Sequence, residues 1–383
     1  MRSASWPARR CPRAARLRDT GGVSTPETAP APLRLGTRGS ALATTQSGLV
    51  ARRLEELLGR PVELVRIRTE GDVKTGSLAS LGGTGVFVTA LREALLDGRC
   101  DVAVHSLKDL PTAQPAVLTI VTPEREDPRD ALCARDGLTL DTLPRGARVG
   151  TGSPRRAAQL QAARPDVELV DIRGNVETRL ARALGPDADL DAVVLALAGL
   201  TRLGRTEVVT QALDPAVVAP APGQGALAVE ARTADLAPGT PLADAFAALD
   251  HRPTRLAVLA ERAVLARLEA GCAAPVGAHA RVEAGELQLT AVVARVDGTE
   301  QLTHSASAAL AAGAAALDQA AQDDAATALG VRVAEALLAD GAARLAPLVG
   351  GTGGPRTGDD DVAPRTDVAP LHVPVGTDDP EGA

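Results

Sequence analysis

Hydrophobic and polar positions between residues 33 and 124 follow two alternating periods. Short apolar runs predict strands at "LRLGTR", "VELVRIRT" and "DVAVHSL". Between them, "SALATTQSGLVARRLEELLG" and "GVFVTALREALLDG" have the 3.6-residue period of helices, the first with Ser40 as its N-cap and Gly59 at its end. Strands that alternate with helices are typical of α/β units with a parallel sheet, so this stretch predicts one α/β lobe.

The same pattern begins again after residue 146 and predicts a second α/β lobe. Strands are expected at "ARVGTGS", "VELVDIRG" and "DAVVLAL", and helices at "PRRAAQLQAAR" and "NVETRLARAL". A stretch rich in proline and glycine, "APAPGQGALAVEA", follows and leads into another strand.

The pattern then changes to that of a smaller α+β domain. A helix is predicted at "PTRLAVLAERAVLARLEAG", followed by a β-meander, "AHARVEAGELQLTAVVARVDG", with turns at Ala284-Gly285 and Asp297-Gly298. A last helix is predicted at "ATALGVRVAEALLADGAARL". The predicted fold class is therefore α/β, with two lobes like those of periplasmic binding proteins and a third α+β domain. The predicted domains are residues 33–124 plus 221–243, residues 125–220, and residues 246–350.

Residues 1–31 and 351–383 are rich in Pro, Gly, Asp and Thr or in Arg and lack apolar periodicity, so both are predicted to be disordered tails. The first tail has no apolar core of the kind that a secretory signal needs, and no stretch is long and apolar enough to span a membrane. We therefore expect a cytoplasmic protein.

Composition narrows the function further. The four cysteines (Cys11, Cys100, Cys133 and Cys272) show no paired spacing, so neither a zinc site nor a redox pair is predicted, and no metal is expected. The net charge of −7 argues against a general nucleic-acid binder. Thirty-nine arginines stand against only two lysines, Lys74 and Lys108, which weakens any argument from a single arginine.

The motif "VGTGSPRRAAQL" has the features of an anion site. A strand ends at Thr151-Gly152-Ser153, Pro154 suits the first helical turn, and Arg155 and Arg156 follow at once. The free N–H groups and the dipole of a helix N-terminus favour an anion there, and two guanidinium groups add charge. A surface helix in an arginine-rich protein explains the same residues and stays an open alternative.

Further arginines follow the next two strands. Arg173-Gly174 ends one strand, Arg179 lies in the helix after it, and Arg202 follows "LALAGL". In an open α/β sheet the carboxyl ends of the strands face one crevice. These arginines are therefore expected to converge on a ligand that carries several negative charges.

The motif "VAVHSLKDLP" places polar groups at the carboxyl end of a strand in the first lobe. His105, Ser106, Lys108 and Asp109 come within five positions, before Pro111 turns the chain. The functional interpretation is a carboxylate, Asp109, kept ionised in an arginine-rich crevice, where it stabilises a cation or passes protons. The alternative is a strand end with a surface Lys–Asp pair.

The loop "LEAGCAAPVGA" contains Cys272. The preceding helix is predicted to end at about Ala270-Gly271, so its negative pole should raise the pKa of this thiol. From the residues alone, a small buried side chain is favoured over a reactive one. If Cys272 is reactive, a thiol with a raised pKa is better suited to forming one stable bond than to acting as a nucleophile in every catalytic cycle.

Taken in order, these motifs resemble the hydroxymethylbilane synthase, or porphobilinogen deaminase, family. The resemblance runs over most of residues 33–345 and includes "LGTRGSALATTQ", "EREDPRDAL", "IRGNVETRL" and "APGQGALAVE". It implies a transferase that joins four porphobilinogen molecules head to tail, releases ammonia from each, and gives 1-hydroxymethylbilane. It also implies a covalent dipyrromethane cofactor, transfer of the product to uroporphyrinogen-III synthase, and a monomer.

The resemblance also implies a role for each matching residue. Asp109 matches the catalytic aspartate, and Cys272 the cysteine that carries the cofactor as a thioether. Residues that match cofactor contacts are Arg38, Ser40, Ser106, Lys108, Asp109, Thr151, Ser153, Arg155, Arg156, Arg173 and Gly174. Residues that match substrate contacts are Arg38, Arg173, Arg179, Arg202 and Gln224. A chain of six pyrroles would carry twelve carboxylates, which explains why so many arginines match cofactor and substrate contacts.

The chain departs from the family at one place, and other functions are open. Some members have lysines where Ser80 and Thr84 stand here, so those cationic contacts cannot be transferred. A non-catalytic, two-lobed anion-binding protein is the main alternative, against which the Lys108-Asp109 pair and Cys272 count. A cysteine hydrolase is less favoured because it needs a partner histidine, and only His105 and His279 lie near the motifs.

Overall fold

The computed structural model describes residues 31–67, 85–270, 274–310, 318–346 and 348, and those from Pro32 onward belong to one compact unit. The strands are β1 (Leu33–Thr37), β2 (Val62–Arg66), β3 (Val102–Ser106), β4 (Leu118–Val121), β5 (Asp130–Ala134), β6 (Arg148–Thr151), β7 (Glu168–Asp171), β8 (Ala192–Ala196), β9 (Gln211–Ala212), β10 (Leu227–Arg232), β11 (Val276–Glu283), β12 (Glu286–Ala294) and β13 (Gln301–Ala309). The helices are α1 (Ala41–Leu58), α2 (Gly85–Leu96), α3 (Pro154–Ala163), α4 (Val176–Leu184), α5 (Leu197–Arg202), α6 (Pro241–Leu249), α7 (Arg252–Arg267) and α8 (Gln319–Ala339). None of the helices in these ranges is long and apolar enough to cross a membrane.

The first sheet has the strand order β2-β1-β3-β10-β4. Strands β1, β2 and β3 are parallel, as predicted, whereas β10 runs antiparallel to both β3 and β4. Strand β10 is antiparallel because the chain enters the sheet at the end of β3, where Leu227 at the start of β10 pairs with Ser106. Strand β10 therefore begins at the carboxyl edge of the parallel strands.

The second sheet repeats this arrangement with the order β7-β6-β8-β5-β9. Strand β6 is parallel to β7 and β8, and β5 is antiparallel to β8 and β9. Asp130, the first residue of β5, pairs with Ala196, the last residue of β8. Both segments that connect the two sheets therefore deliver the chain to the carboxyl edge of a sheet, where an α/β fold places its ligands.

The third part of the fold is an antiparallel sheet, β11-β12-β13, packed against α7 and α8. The hairpin at Ala284-Gly285 has positive φ at both residues, 49° and 79°, as the predicted tight turn requires. The two helices approach closely at Gly330, where a Cβ atom would lie 2.2 Å from the carbonyl oxygen of Ala260. Only glycine allows this contact.

Two helix ends differ from the sequence prediction. Helix α7 ends at Arg267 rather than at Ala270-Gly271, because Glu269 adopts a left-handed conformation with φ of 49°. Helix α8 begins at Gln319, capped by the side chain of Asp318, and not at residue 326. The predicted start missed this cap, which lies before the alanine-rich part of the helix.

The pattern also missed several elements, among them β4, β5, α5 and α6. Helix α6 contributes Phe246 and Leu249 to the core of the first sheet, together with Leu33, Leu35 and Val229. This core extends beyond residue 243, the predicted boundary of the first domain, and the division into three domains stays a prediction.

A buried carboxylate joins the third part of the fold to both connecting segments. Glu261 of α7 accepts hydrogen bonds from both terminal nitrogens of Arg125, at 2.7 and 3.0 Å. It also accepts from the backbone N–H groups of Gly223 and Ala280, each at 2.7 Å. Because Arg125 and Gly223 belong to different connecting segments, this cluster, named the Glu261 junction here, holds both segments against α7 and β11.

Candidate functional site

The candidate residues gather at the carboxyl edges of the two sheets. Arg38 follows β1, Lys108 and Asp109 follow β3, and Ser153 follows β6. The connecting segments bring Asp130 and Gln224 to the same place. The predicted convergence of these motifs is therefore present in the fold.

Lys108 and Asp109 lie in one turn of 3₁₀ helix, Leu107–Asp109, directly after β3. Lys108 is partly buried, and its Nζ donates a hydrogen bond of 3.3 Å to Oε1 of Gln224. Asp109 is also partly buried, and its carboxylate accepts no hydrogen bond from another described residue. This carboxylate is thus available to a ligand.

The charges around Lys108 set its protonation. Burial lowers the pKa of Lys108 to about 8, Asp109 and Asp130 raise it, and Arg156 and Arg155 lower it further. Lys108 and Arg156 also donate to the same Oε1 of Gln224, so groups that follow strands of both sheets lie together here.

Arg155 and Arg156 lie in the first turn of α3, and both are buried. The alternative interpretation of the sequence, a surface helix, is therefore wrong. Both pair with the fully buried carboxylate of Asp130. The second terminal nitrogen of Arg155 donates to the carbonyl of Ala219. Arg156 donates to the carbonyl of Val194 at 3.1 Å. The two guanidinium groups are thus held by partners from the protein itself.

Gln224 connects Lys108 with this arginine pair. Its Nε2 donates to Oδ1 of Asp130 and to the carbonyl of Pro128, each at 2.7 Å. Its Oε1 accepts from Lys108 at 3.3 Å and from Arg156 at 3.4 Å. Both ends of this fully buried amide are used within the protein, so the geometry favours a supporting role over the predicted contact with substrate.

Asp130 is the residue of this site that the sequence analysis did not single out. Burial alone would raise the pKa of Asp130, but the charges and hydrogen bonds of Arg155 and Arg156 outweigh it and hold this pKa well below its usual range. One signal was present, because an aspartate opens the otherwise apolar strand "DALCA". A buried aspartate needs a cationic or hydrogen-bonding partner.

The turn Thr151-Gly152-Ser153 between β6 and α3 is tightly packed. A Cβ atom on Gly152 would lie 2.5 Å from the carbonyl oxygen of Ile172, so no other residue fits without a shift. The N–H of Ser153 donates to Oγ1 of Thr151 at 3.3 Å. Ser153 has the N-cap position of α3, yet its hydroxyl makes no cap hydrogen bond. This hydroxyl remains available at the edge of the site.

Arg38, Ser40 and Ser106 form the part of the site next to α1. Arg38 is partly buried directly after β1. The hydroxyl of Ser40 caps α1 by accepting from the N–H of Ala43 at 3.3 Å, as predicted. Ser106 donates to Oε1 of the buried Gln46 at 3.3 Å, which joins the end of β3 to α1.

The remaining arginines differ in exposure. Arg173 is exposed and pairs with Asp171 at 3.2 Å, next to Gly174, whose φ is 106°. Arg179 is partly buried, and burial and the nearby charges of Arg156 and Arg173 lower its pKa. Arg202 donates to the carbonyl of Gly225 at 2.6 Å, which brings the end of α5 to the connecting segment.

A second buried network supports β3 from behind. The carboxylate of Glu230 in β10 is fully buried and lies 3.1 Å from Nε2 of His105. It also accepts from Arg92 of α2 and from Gln114, at 3.1 and 2.9 Å. His105 is therefore part of the support of the strand and not of the crevice.

Cys272, Ser80 and Thr84 lie outside the described residues, although Ala270 and Ala274 on either side of the cysteine loop are described. Within the described ranges, no group of three or more His, Cys, Asp or Glu could hold a metal ion. What the structure brings together is a carboxylate beside a lysine and several arginines, a set suited to ligands with many carboxylates.

Two family models match the chain. One, described as porphobilinogen deaminase, dipyromethane cofactor binding domain, matches residues 33–238. The other, described as porphobilinogen deaminase, C-terminal domain, matches residues 255–339.

Similar curated proteins carry the same name. The chain is 56% identical over 373 residues to the porphobilinogen deaminase of Micrococcus luteus, with 86% of this chain and 99% of that protein covered. It is 59% identical over 272 residues to the one of Thermobifida fusca, covering 70% and 83% of the two chains. Porphobilinogen deaminase 1 of Streptomyces coelicolor is 52% identical over 323 residues, covering 82% and 97%.

Solved structures give a weaker likeness. The methionine-binding protein MetQ superposes with a TM-score of 0.36 at 13% identity, covering 57% of this chain and 89% of that chain. A periplasmic substrate-binding protein of an ABC transporter from Coxiella burnetii gives 0.34 at 16% identity, covering 57% and 91%. TM-scores this low carry no weight for function.

Proposed function

The chain belongs to the porphobilinogen deaminase family, and from this premise we propose that the crevice between its two sheets is the active site. The protein is a transferase: it condenses four porphobilinogen molecules head to tail, releases ammonia from each, and forms 1-hydroxymethylbilane on a dipyrromethane cofactor. Membership of this family excludes the alternative of a non-catalytic anion-binding protein. The observation that carries the placement is that Lys108, which lies in one turn with Asp109 after β3, and Arg156, which follows β6, donate hydrogen bonds to the same oxygen of Gln224.

The donors of the crevice fit ligands with carboxylate side chains. Nε of Arg155 and Nε of Arg202 are buried and have no hydrogen-bond partner among the described residues. A buried donor without a partner costs free energy until a ligand satisfies it. Carboxylates of cofactor and substrate would supply these acceptors, with Arg38, Ser40, Ser106, Thr151, Ser153, Arg173, Gly174 and Arg179 as the further proposed contacts.

The cofactor residues are proposed on the same basis. When bound through Cys272, the dipyrromethane supplies the pyrrole end to which the first substrate molecule is joined. The loop that contains Cys272 connects α7 with β11, and the Glu261 junction holds both elements against the connecting segments that bear Arg125 and Gln224.

Asp109 is proposed as the catalytic residue. Loss of ammonia from the aminomethyl group leaves positive charge on the pyrrole, and a carboxylate without other hydrogen bonds can stabilise that charge. Lys108, directly before it, would hold a carboxylate of the same substrate. Asp109 can also accept the proton that is lost when the new bond forms.

Three further features are proposals. A monomeric state and use of the product by uroporphyrinogen-III synthase rest on the family, and a cytoplasmic location rests on the sequence. The three-domain division is supported by three separate sheets.

The first test replaces Asp109 by asparagine, which keeps the shape and removes the charge. We expect the melting temperature to change little and the rate of porphobilinogen consumption to fall by about 10³-fold or more, since the electrostatic stabilisation of the cation is lost. Asp97→Asn is the matched control, because the Asp97 side chain is 64% exposed and lies outside the crevice. Equal rates in the two variants would remove Asp109 from the mechanism.

A further inference from the structure

One buried carboxylate serves both arginines of α3, and the family-based assignment gives it no role. We propose that Asp130 is a positioning residue of the active site: it orients Arg155 and Arg156 and, through Gln224, holds Lys108 toward the ligand carboxylates. The inference rests on the proposed location of the active site. Asp130 acts through its neighbours and does not itself contact the reacting atoms.

The hydrogen bonds of Asp130 use both of its oxygens. Oδ1 accepts from Nε and a terminal nitrogen of Arg156, at 3.0 and 2.7 Å, and from Nε2 of Gln224 at 2.7 Å. Oδ2 accepts from a terminal nitrogen of Arg155 at 2.7 Å. Four nitrogens of three residues, two in α3 and one in a connecting segment, therefore converge on one side chain that is fully buried. Two of these three residues, Arg155 and Arg156, match cofactor contacts.

The backbone around Asp130 holds this carboxylate in place. Asp130 pairs with Ala196 at the edge of the second sheet, and its carbonyl accepts from the N–H of Leu213 at 2.8 Å. Its main chain thus has β8 on one side and the segment beside β9 on the other. A carboxylate on so constrained a strand can define the planes of two guanidinium groups, because charge-assisted hydrogen bonds are directional.

The charge balance gives Asp130 a second effect. Two adjacent buried guanidinium groups repel each other, and Asp130 neutralises one of the two charges. The groups that face Lys108 are Asp109 and Asp130, which favour its charged form, and Arg156 and Arg155, which disfavour it. Without the charge of Asp130, Lys108 would lose its proton at a lower pH and bind carboxylates less well.

The composition of the chain allows a direct test. It contains only two lysines, so protein labelled with ¹³C at lysine Cε gives two side-chain signals, which a Lys74→Arg variant assigns. We expect the Lys108 signal of the holoenzyme to titrate at lower pH in Asp130→Asn than in the wild type. The intact mass of each sample is measured in parallel, so the two are compared in the same cofactor state. Because this titration needs no turnover, it separates a failure of this inference from a failure of the proposed function.

Asp323 provides the matched control. It is also a buried aspartate shared by two arginines, Arg252 and Arg255, but it lies in α8 of the third part of the fold. Asp323→Asn should lower stability without moving the Lys108 titration. For Asp130→Asn we expect kcat/KM to fall by about 10²-fold, because displaced arginine side chains would position the substrate less well. An unchanged Lys108 titration, or a loss of kcat/KM no larger than that of Asp323→Asn, would overturn the proposal.

Asp130→Glu distinguishes charge from position and serves if the asparagine variant does not fold. The charge is retained, so the Lys108 signal should titrate close to the wild-type pH. The carboxylate is displaced by one methylene group, so kcat/KM should still fall more than in Asp323→Glu. Wild-type kcat/KM in Asp130→Glu would show that the position of the carboxylate does not matter and would refute the positioning role.

Discussion

At the scale of single residues, the sequence predicts which side chains meet but not how they are neutralised. The motif around Arg155 and Arg156 indicates an anion site from local features, a strand end, a proline and two arginines. Their partner Asp130 lies 25 and 26 residues away in the chain, so no local pattern links them. The alternative of a surface helix was wrong for the same reason, since burial depends on the second sheet.

Lys108 gives a prediction for the pH dependence of catalysis. Burial lowers its pKa to about 8, so the cation is lost as the pH rises through this value. Since kcat/KM reports the ionisation of the free enzyme, we expect this quantity to fall above about pH 8. Lys108→Arg should move the alkaline limb to higher pH, because a guanidinium group stays charged there.

The measurement is a profile of kcat/KM between about pH 6 and 10 for the two proteins. Lys74→Arg serves as the control and should leave the alkaline limb where it is. An alkaline limb at the same pH in Lys108→Arg would assign it to another group.

At the scale of elements, the sequence predicts the bounds of a helix best where a particular residue marks its start or its end. Ser40 and Gly59 bound α1 as expected, because a hydroxyl cap and a left-handed glycine are local signals. The end of α7 was placed too late, because Gly271 is a strong stop signal and Glu269 a weak one. The direction of β10 could not be predicted, since it depends on where the connecting segment enters the sheet.

The network behind β3 gives a prediction for stability. Burial alone would raise the pKa of Glu230, yet hydrogen bonds from His105 and Arg92 lower it to about 2. A lowered carboxyl pKa contributes stability above the unfolded value of about 4.5, which is lost as the pH falls toward 2. Glu230→Gln should therefore lower the free energy of unfolding by about 3–5 kcal/mol at neutral pH.

Denaturant unfolding at several pH values tests this. The difference between wild type and Glu230→Gln should shrink as the pH approaches 2, the pKa of Glu230. Glu283→Gln is the control, because the Glu283 side chain is 62% exposed in its pair with Arg281 and should change stability little. A difference that is independent of pH would mean that the charge of Glu230 contributes nothing.

At the scale of the whole molecule, the intact mass tests the covalent cofactor. If Cys272 carries the dipyrromethane, the protein is heavier than its sequence mass by two porphobilinogen units less two ammonia molecules. The extra mass should lie in the peptide that contains Cys272, and substrate should add further single pyrrole units. Cys272→Ala should lack the added mass and the activity, since the growing chain has no anchor.

The other cysteines provide the comparison. Cys100 and Cys133 are buried in the first and second lobes, so Cys100→Ala and Cys133→Ala should retain the added mass. Fully active protein with an unmodified Cys272 would contradict the assignment of the anchor.

The Glu261 junction has a consequence for exchanging segments between relatives. Arg125 and Gly223 come from two distant parts of the chain, and both donate hydrogen bonds to the carboxylate of Glu261, which lies in a third part. In a hybrid that takes the third part of the fold from one relative and the lobes from another, Arg125 and Gly223 come from a different parent than their acceptor Glu261. Such hybrids should succeed where both parents conserve the arginine and the glutamate together. The boundary of an exchangeable module in this protein is thus set by a shared side chain and not by a linker.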